Sequence, residues 1–391
     1  MFYRLLLVAS LFVFSAGVFG QSYKRIHEKA ILVDTHNDFP SASIEKKVSF
    51  DANLLGVTHS DLERMRQGGV DVQIFSIFCG PEQKQPYAFA NREIDSVYEW
   101  VRRNPNKMVL VKTPAELKKA VKEKKLATML GVEGGHMIED KIENLDNLYV
   151  RGARYLTLTW NNSTSWATSA ADETTKKDSL PHKGLTDFGI KVVQRMNELG
   201  MLIDISHNGE QTFWDVIKYT KKPIIASHSS VWNLCPHRRN LKDDQIKAIA
   251  KNGGVIQVNF YAGFLDSTYE AKAAKLRAKH KPEIDALIAK GAQPDYARMI
   301  TMEKYKEEMD AIRPPLSLLI DHIDYIVKLV GIDYVGIGSD FDGIEAGPKE
   351  LNGVQDFPLL TKALRERGYG KKEIRKILGE NFLRVFKANQ L

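Results

Sequence analysis

Cysteine is scarce in this sequence. Only Cys79 and Cys235 occur among its 391 residues, whereas small exported domains that depend on disulfides are dense in cysteine. A fold held together by several disulfides is therefore excluded. Hydrophobic residues make up 43% of the chain, so a large apolar core can stabilise it instead.

A strong excess of one charge is also missing. The formal net charge is +7, from 56 basic and 49 acidic residues. Basic runs such as "KKAVKEKK" at 118–125 alternate with apolar residues at helical spacing, which is typical of solvated helix faces. This pattern argues against a nucleic-acid-binding surface.

No apolar run is long enough for an ordinary transmembrane helix. The longest covers residues 5–20, or 16 residues, and a spanning helix prefers about 20. Arg4 precedes this run, and small residues end it just before Gln21, as in a cleaved secretory signal peptide. An uncleaved anchor is the alternative. We expect residues 1–20 to be a signal peptide and the mature protein to be exported, periplasmic or secreted, without a stable membrane anchor.

Linkers, low-complexity tracts and sequence repeats are absent, so we expect residues 21–391 to form one domain. What recurs is a short apolar run followed by a polar or glycine turn and an amphipathic stretch. The eight runs are "ILVDTH", "VDVQIFSIF", "ATMLGVEGG", "YLTLTW", "LIDISH", "PIIASHSS", "GVIQVNFY" and "YVGIGSDF". Such alternation predicts parallel strands covered by helices, and eight units predict an α/β fold, a (β/α)8 TIM-like barrel.

Two further expectations follow from the barrel. The stretch from about 265 to 314 is rich in Lys, Glu and Ala, which predicts a helical insertion before the last strand. Cys79 and Cys235 follow the second and sixth runs, on opposite sides of an eight-stranded barrel, whereas a disulfide needs Cα atoms within about 7 Å. We therefore predict two free thiols.

Titratable residues gather where the apolar runs end. Five of the eight runs end in His36, Asp38, Glu133, His207, His228 and Asp340. Singly, each has an ordinary structural interpretation, since a buried histidine is often hydrogen-bonded and an aspartate often caps a turn. In a barrel, however, the C-terminal strand ends converge on the face that carries active sites. The pattern therefore predicts a metal-dependent catalytic site.

Three histidines with several carboxylates suit a borderline metal such as zinc, and they outnumber the ligands of one tetrahedral ion. Two ions that share a bridging carboxylate would use all of these histidines and carboxylates. Glu133 is the natural bridge, because Gly134 and Gly135 allow backbone and substrate to approach closely. A water shared by two ions is deprotonated near neutral pH and becomes a strong nucleophile.

Five motifs resemble, in order and spacing, those of the renal-type membrane dipeptidases. They are "DTHNDFP", "GVEGGH", "LIDISH", "SHSS" followed by "RRN", and "GIGSDFDG". The resemblance covers nearly all of the mature chain. It implies a homodimeric dinuclear zinc peptidase on a (β/α)8 barrel that cleaves dipeptides and tolerates a D-residue at the C-terminal position.

The resemblance also implies metal ligands by position. His36 and Asp38 would hold one Zn²⁺, His207 and His228 would hold the other, and Glu133 would bridge them. Each subunit would then contain two ions.

For the substrate, the resemblance implies that Arg239 binds the free carboxylate and that Asp340 shuttles protons. The planar guanidinium matches a carboxylate, which explains a preference for free C-termini. Arg238 and Asp342 are the less favoured candidates for these two roles. We interpret the remaining histidines near the motifs as supporting or loop residues: His136, His182 and His237.

One position departs from the family pattern. The fourth strand usually ends in a histidine that contacts the substrate near the reacting carbonyl, whereas here Trp160 stands there, followed by Asn161 and Asn162. The indole would narrow the cleft, and an asparagine amide can replace the lost donor. We predict an active dipeptidase with altered side-chain selectivity.

Two other functions fit parts of the pattern. A metal-dependent amidohydrolase acting on a cyclic amide or lactam would use the same barrel, but it would not need Arg239 as a carboxylate anchor. A periplasmic binding protein that keeps the metals at low activity is favoured only by Trp160, and the retained Asp340 argues against it.

Overall fold

The computed structural model describes residues 23–390, in which nine strands form one sheet. The strands are β1 (Val33–Asn37), β2 (Val72–Phe78), β3 (Met108–Leu110), β4 (Leu126–Glu133), β5 (Ala153–Thr157), β6 (Leu202–Asp204), β7 (Ile225–Ala226), β8 (Val255–Val258) and β9 (Val335–Ile337). All but β3 follow the parallel order β1-β2-β4-β5-β6-β7-β8-β9. This nearly closed barrel of eight strands confirms the predicted (β/α)8 TIM-like fold.

Helices cover the outside of the barrel and fill its longer connections. The α-helices are Phe39–Lys46, Leu62–Gln67, Pro86–Arg103, Pro114–Lys122, Ile142–Val150, Ala170–Thr175, Asp187–Leu199, Glu210–Tyr219, Asp243–Asn252, Ala262–Leu265, Tyr269–Lys279, Lys281–Ala289, Pro294–Lys304, Lys306–Ile312, Leu316–Val330, Phe357–Glu366, Lys371–Arg375 and Asn381–Asn389. Single turns of 3-10 or π helix are Gly135–Ile138, Lys177–Ser179, Ile332–Tyr334, Val354–Asp356 and Lys376–Glu380. Four of these helices lie between 269 and 312, in the connection from β8 to β9, and their assignment as an insertion into a single domain stays a prediction.

The strands are largely buried because both of their faces are covered. Every residue of β4 is buried, as expected for a parallel strand between the barrel interior and the outer helices. The strand β3 was not predicted from the sequence. It has only 3 residues and pairs with β4 outside the barrel order, so its apolar run is too short to stand out.

The barrel closes between its first and last strands. A parallel bridge joins Asn37 to Phe341. The Asp340 amide donates to the His36 carbonyl at 3.0 Å, and the Asp38 amide donates to the Phe341 carbonyl at 2.9 Å. These bonds bring the first and last motifs of the chain together at one edge.

Two expectations concern the cysteines and the N-terminus. Cys79 and Cys235 are both buried free thiols, as predicted. The signal segment 1–20 lies outside the described residues, so its role stays a prediction. Within residues 23–390, no helix has the length and apolarity needed to cross a membrane.

Candidate metal centre

The predicted site residues meet in one cleft at the C-terminal ends of the strands. His36 lies in β1 and Glu133 ends β4, while His207, His228 and Asp340 lie in the turns just after β6, β7 and β9. The cleft has a volume of about 470 Å³. His207 and Asp340 have positive φ angles of 66° and 61°, a strained conformation that is common at functional sites.

Glu133 lies at the centre of the cluster, with its two carboxylate oxygens directed to different histidines. Oε2 is 3.5 Å from Nε2 of His36. Oε1 is 2.9 Å from Nε2 of His207 and 3.4 Å from Nε2 of His228. One carboxylate therefore connects two groups of ligands, as a bridging residue must.

His36 and Asp38 form the first group. Nε2 of His36 is 3.4 Å from Oδ2 of Asp38. Among the described residues, neither Nε2 of His36 nor Oδ1 of Asp38 has a hydrogen-bond partner, although both atoms are buried. Unpaired buried polar atoms are costly, and a cation between them would satisfy both.

His207 and His228 form the second group. Their Nε2 atoms are only 3.0 Å apart and share Oε1 of Glu133. Burial is the main cause that lowers the pKa of His207 to about 3, followed by the positive charge of Arg239. Burial likewise holds the pKa of His228 well below its usual value. Both rings are therefore neutral at pH 7, which is the form that binds a metal.

Each of the three histidines is held through its other ring nitrogen. The Nδ1 partners are the Tyr155 hydroxyl for His36 at 2.8 Å, Oδ1 of Asn161 for His207 at 3.1 Å, and Oγ of Ser227 for His228 at 2.7 Å. When Nδ1 donates to such an oxygen, Nε2 keeps its lone pair for the cluster. The residues present thus fit a borderline metal ion in donor type and orientation.

Asp340 faces the cluster, whereas Asp342 does not. Oδ1 of Asp340 is 4.0 Å from Nε2 of His36, and Oδ2 accepts a hydrogen bond from the Asn259 amide at 2.7 Å. The Asp342 carboxylate instead accepts from the His59 backbone amide at 2.6 Å. The geometry agrees with the choice of Asp340 as the proton-transfer residue.

The environment of Asp340 favours its protonated form. Burial is the largest cause that raises the pKa of this carboxyl well above its usual range. The carboxylates of Asp38 and Glu133 raise the pKa further, and His36 opposes them. A raised pKa makes the Asp340 carboxylate a stronger base, so it can take up a proton next to the cluster and then release it to a reacting group.

Arg239 lies on another wall of the cleft. Its side chain is only 5% exposed, and its Nε has no partner among the described residues. Its terminal nitrogens make long hydrogen bonds to the His228 carbonyl at 3.2 Å and to Oγ of Ser229 at 3.4 Å. Arg238 next to it also borders the cleft, but its side chain is exposed. The structure thus leaves Arg239 with unused donors inside the cleft.

One family of known proteins matches nearly the whole chain. Residues 21–391 match the family described as membrane dipeptidase, peptidase family M19. The chain belongs to this family. Its members are metallo-dipeptidases, hydrolases that act on peptide bonds.

One curated relative covers almost the whole chain. The uncharacterised dipeptidase C965.12 of Schizosaccharomyces pombe is 34% identical over 392 residues, which covers 95% of this chain and 83% of the relative.

Solved structures share the fold. The probable dipeptidase PvdM of Pseudomonas aeruginosa has a TM-score of 0.77 at 25% identity, covering 95% of this chain and 98% of that one. A metallo peptidase of Rhodobacter sphaeroides, liganded with a phosphinate mimic of the dipeptide L-Ala-D-Ala, has a TM-score of 0.73 at 22% identity, covering 92% and 100%.

Trp160, which departs from the membrane dipeptidase pattern, lines the cleft. Its indole ring lies 5.0 Å from the ring of Phe78 and 6.1 Å from that of His207. Asn161 also lines the cleft, with its Oδ1 on His207, whereas Asn162 does not line it. The structure therefore gives Asn161 a role in orienting a histidine, and its predicted contact with substrate stays a prediction.

The other histidines near the membrane dipeptidase motifs lie beside the cluster or away from it. Nε2 of His136 is 3.0 Å from the Cys79 carbonyl. His237 lines the cleft and packs on Phe264, with ring centroids 4.6 Å apart. Neither His136 nor His182 lines the cleft.

Sequence reasoning missed the residues that support the ligands. The most deeply placed is Tyr155 in β5, whose ring crosses the barrel interior to reach His36. Gly131 makes room for it, because a Cβ there would lie 1.9 Å from Cζ of Tyr155. Tyr155 begins the run "YLTLTW", which the sequence identifies only as a strand, and its hydroxyl is the only sign of a buried polar role for this residue.

Proposed function

We propose that this protein is a zinc-dependent dipeptidase that uses two ions per subunit to hydrolyse dipeptides with a free C-terminal carboxylate. The observation that carries the proposal is the position of Glu133, whose Oε2 faces His36 while its Oε1 faces His207 and His228. His36 and Asp38 would hold one ion, and His207 and His228 the other. When bound, such ions supply Lewis acidity toward the scissile carbonyl and activation of water.

The residues of the chain would then position the dipeptide and move protons. The Arg239 guanidinium binds the C-terminal carboxylate, and its burial strengthens that charge-assisted bond. Asp340, held by Asn259, accepts a proton at the reacting centre and passes it to the leaving amine. Trp160 and Phe78 form an apolar wall that limits the size of a substrate side chain.

Substrate chirality is part of the proposal. The Rhodobacter sphaeroides protein of the same fold is liganded with a mimic of L-Ala-D-Ala. Together with the motif resemblance, this supports acceptance of C-terminal D-residues. A panel of matched L,L- and L,D-dipeptides, assayed with the zinc-loaded mature chain, tests both statements. If neither series of dipeptides is hydrolysed, the proposed dipeptidase function is wrong. If only the L,L-dipeptides are hydrolysed, the proposed acceptance of C-terminal D-residues is wrong.

The rival functions make different predictions. A cyclic-amide hydrolase would act on lactams and would not depend on Arg239. A low-activity binding protein would bind dipeptides without hydrolysing them, and the missing hydrolysis would then be due to Trp160. The same panel, extended with a lactam and a binding measurement, separates these cases from the dipeptidase.

We also propose that the mature protein is exported and forms a homodimer. Export is supported by the signal-like segment 1–20, and the dimer is supported only by the family resemblance. Mass spectrometry of the N-terminus after secretion and light scattering of the purified protein test these two points. An intact N-terminus or a monomeric mass would contradict them.

A further inference from the structure

A buried carboxylate outside the metal cluster has an unusual set of partners. Asp204 ends β6, is fully buried, and accepts four hydrogen bonds. Two come from Ser227, through its amide at 2.7 Å and its hydroxyl at 2.6 Å. The others come from the Ser206 amide at 3.1 Å and the Thr157 hydroxyl. Four donors converge on a residue that contacts no metal ligand itself.

The partners of Ser227 fix the direction of its hydroxyl hydrogen. A serine hydroxyl has one hydrogen to donate. Its two short contacts are to Oδ2 of Asp204 at 2.6 Å and to Nδ1 of His228 at 2.7 Å. Because the carboxylate can only accept, the hydrogen points to Asp204, and the serine oxygen accepts from His228. The third contact, to Oγ of Ser206, is longer at 3.4 Å.

The chain of donors therefore determines the tautomer of His228. With its hydrogen on Nδ1, the neutral ring has its lone pair on Nε2, the atom that faces Glu133 at 3.4 Å. Ser206 also holds the main chain, since its hydroxyl accepts from the His228 amide at 3.0 Å. The ring of His228 is therefore held by Ser227 and its backbone by Ser206, and both serines donate hydrogen bonds to Asp204.

We infer that Asp204 is a positioning residue that acts through Ser227 to set the tautomer and orientation of His228, and thereby strengthens metal binding at that ligand. The inference rests on the proposed metal-dependent function. Partners that orient a ligating histidine typically change metal affinity by about 10- to 100-fold.

A second buried aspartate–serine pair serves as a matched control, because it separates an effect on metal binding from an effect on stability alone. Asp34 in β1 accepts from the Ser339 amide at 2.7 Å and from its hydroxyl at 2.6 Å. This pair has the same chemistry as Asp204 and Ser227, and it also joins two neighbouring strand ends. Among the described residues, the Ser339 hydroxyl contacts no imidazole nitrogen, and it reaches His36 only at the main-chain carbonyl, at 3.3 Å. The Asp34 pair therefore holds the main chain next to a ligand, whereas the Asp204 pair continues to a histidine ring.

The test compares metal retention in the zinc-loaded mature protein under competition with a chelator. Asp204→Asn and Ser227→Ala should weaken retention by about 10- to 100-fold, while Ser227→Thr, which keeps a hydroxyl, should restore most of it. Asp34→Asn should lower the melting temperature like Asp204→Asn but change metal affinity far less. Equal losses of affinity in both aspartate variants would overturn the inference.

A second measurement does not depend on the stability of the variants. Nitrogen-15 NMR of histidine rings in the wild-type metal-free chain, with the His228 signal assigned from His228→Gln, reports the tautomer directly. We expect the proton on Nδ1, and a proton on Nε2 would overturn the inference. A wild type that binds no zinc would instead contradict the proposed function and leave the tautomer result to stand by itself.

Discussion

Replacement of Arg239 by alanine gives the sharpest test of substrate recognition. The side chain is 5% exposed, and burial lowers its pKa to about 10, so the guanidinium stays charged at pH 7. It has a free Nε and makes only long bonds through its terminal nitrogens, at 3.2 and 3.4 Å to uncharged oxygens. A substrate carboxylate would meet donors that are not otherwise satisfied.

The expected magnitude follows from the number of bonds. Two charge-assisted hydrogen bonds contribute about 1.5 to 3 kcal/mol each. Losing a bidentate contact should cost about 3 to 6 kcal/mol, or about a 10²- to 10⁴-fold decrease in kcat/KM. We expect the decrease mainly as a raised KM, because the carboxylate contact is present before and during the reaction.

The assay compares two proteins on two substrates, so that the contribution of the contact between Arg239 and the carboxylate can be separated from other effects. Wild type and Arg239→Ala are each assayed on a dipeptide and on its C-terminal amide, with Arg238→Ala as the exposed-neighbour control. The preference of the wild type for the free acid should disappear in Arg239→Ala and persist in Arg238→Ala. The reasoning is refuted if the wild type cleaves acid and amide equally, or if Arg239→Ala slows both by the same factor while its melting temperature is unchanged.

Other predictions concern the ligands, the cleft wall and the thiols. Glu133→Gln should lower the affinity for both ions, since each carboxylate oxygen faces one group; elemental analysis of the zinc-reconstituted wild type showing fewer than two ions would contradict this. Trp160→His should raise activity on dipeptides with larger side chains relative to small ones, and an unchanged ranking would place the indole outside the pocket. Alkylation of the denatured, unreduced protein should modify both Cys79 and Cys235, and the absence of any modified thiol would indicate a disulfide.

The sequence alone was sufficient to predict the barrel and to gather the candidate site residues at one end of it. Eight largely apolar runs mark the barrel strands, because a parallel strand covered on both faces is buried along its length. The groups that end five of these runs converge because all parallel strands point to the same edge. Element boundaries were less well determined, since β6 and β7 have only 3 and 2 residues.

The choice between neighbouring residues was decided by tertiary structure. Arg239 is buried in the cleft and Arg238 is exposed, although the two are adjacent and chemically identical. Asp340 faces His36, whereas Asp342 is held by His59. Spacing along a turn does not specify which side chain points inward, because that depends on backbone angles set by the surrounding contacts.

The residues behind the ligands were likewise decided only by the fold. Tyr155 and Asp204 lie in ordinary strand segments, and nothing in their local sequence identifies the histidine that each supports. Tyr155 is 119 positions from His36, and Ser227 is 23 from Asp204. Short-range patterns determine strands and the chemistry at their ends, whereas such partners are brought together only when the barrel closes and buries polar groups that must then find each other.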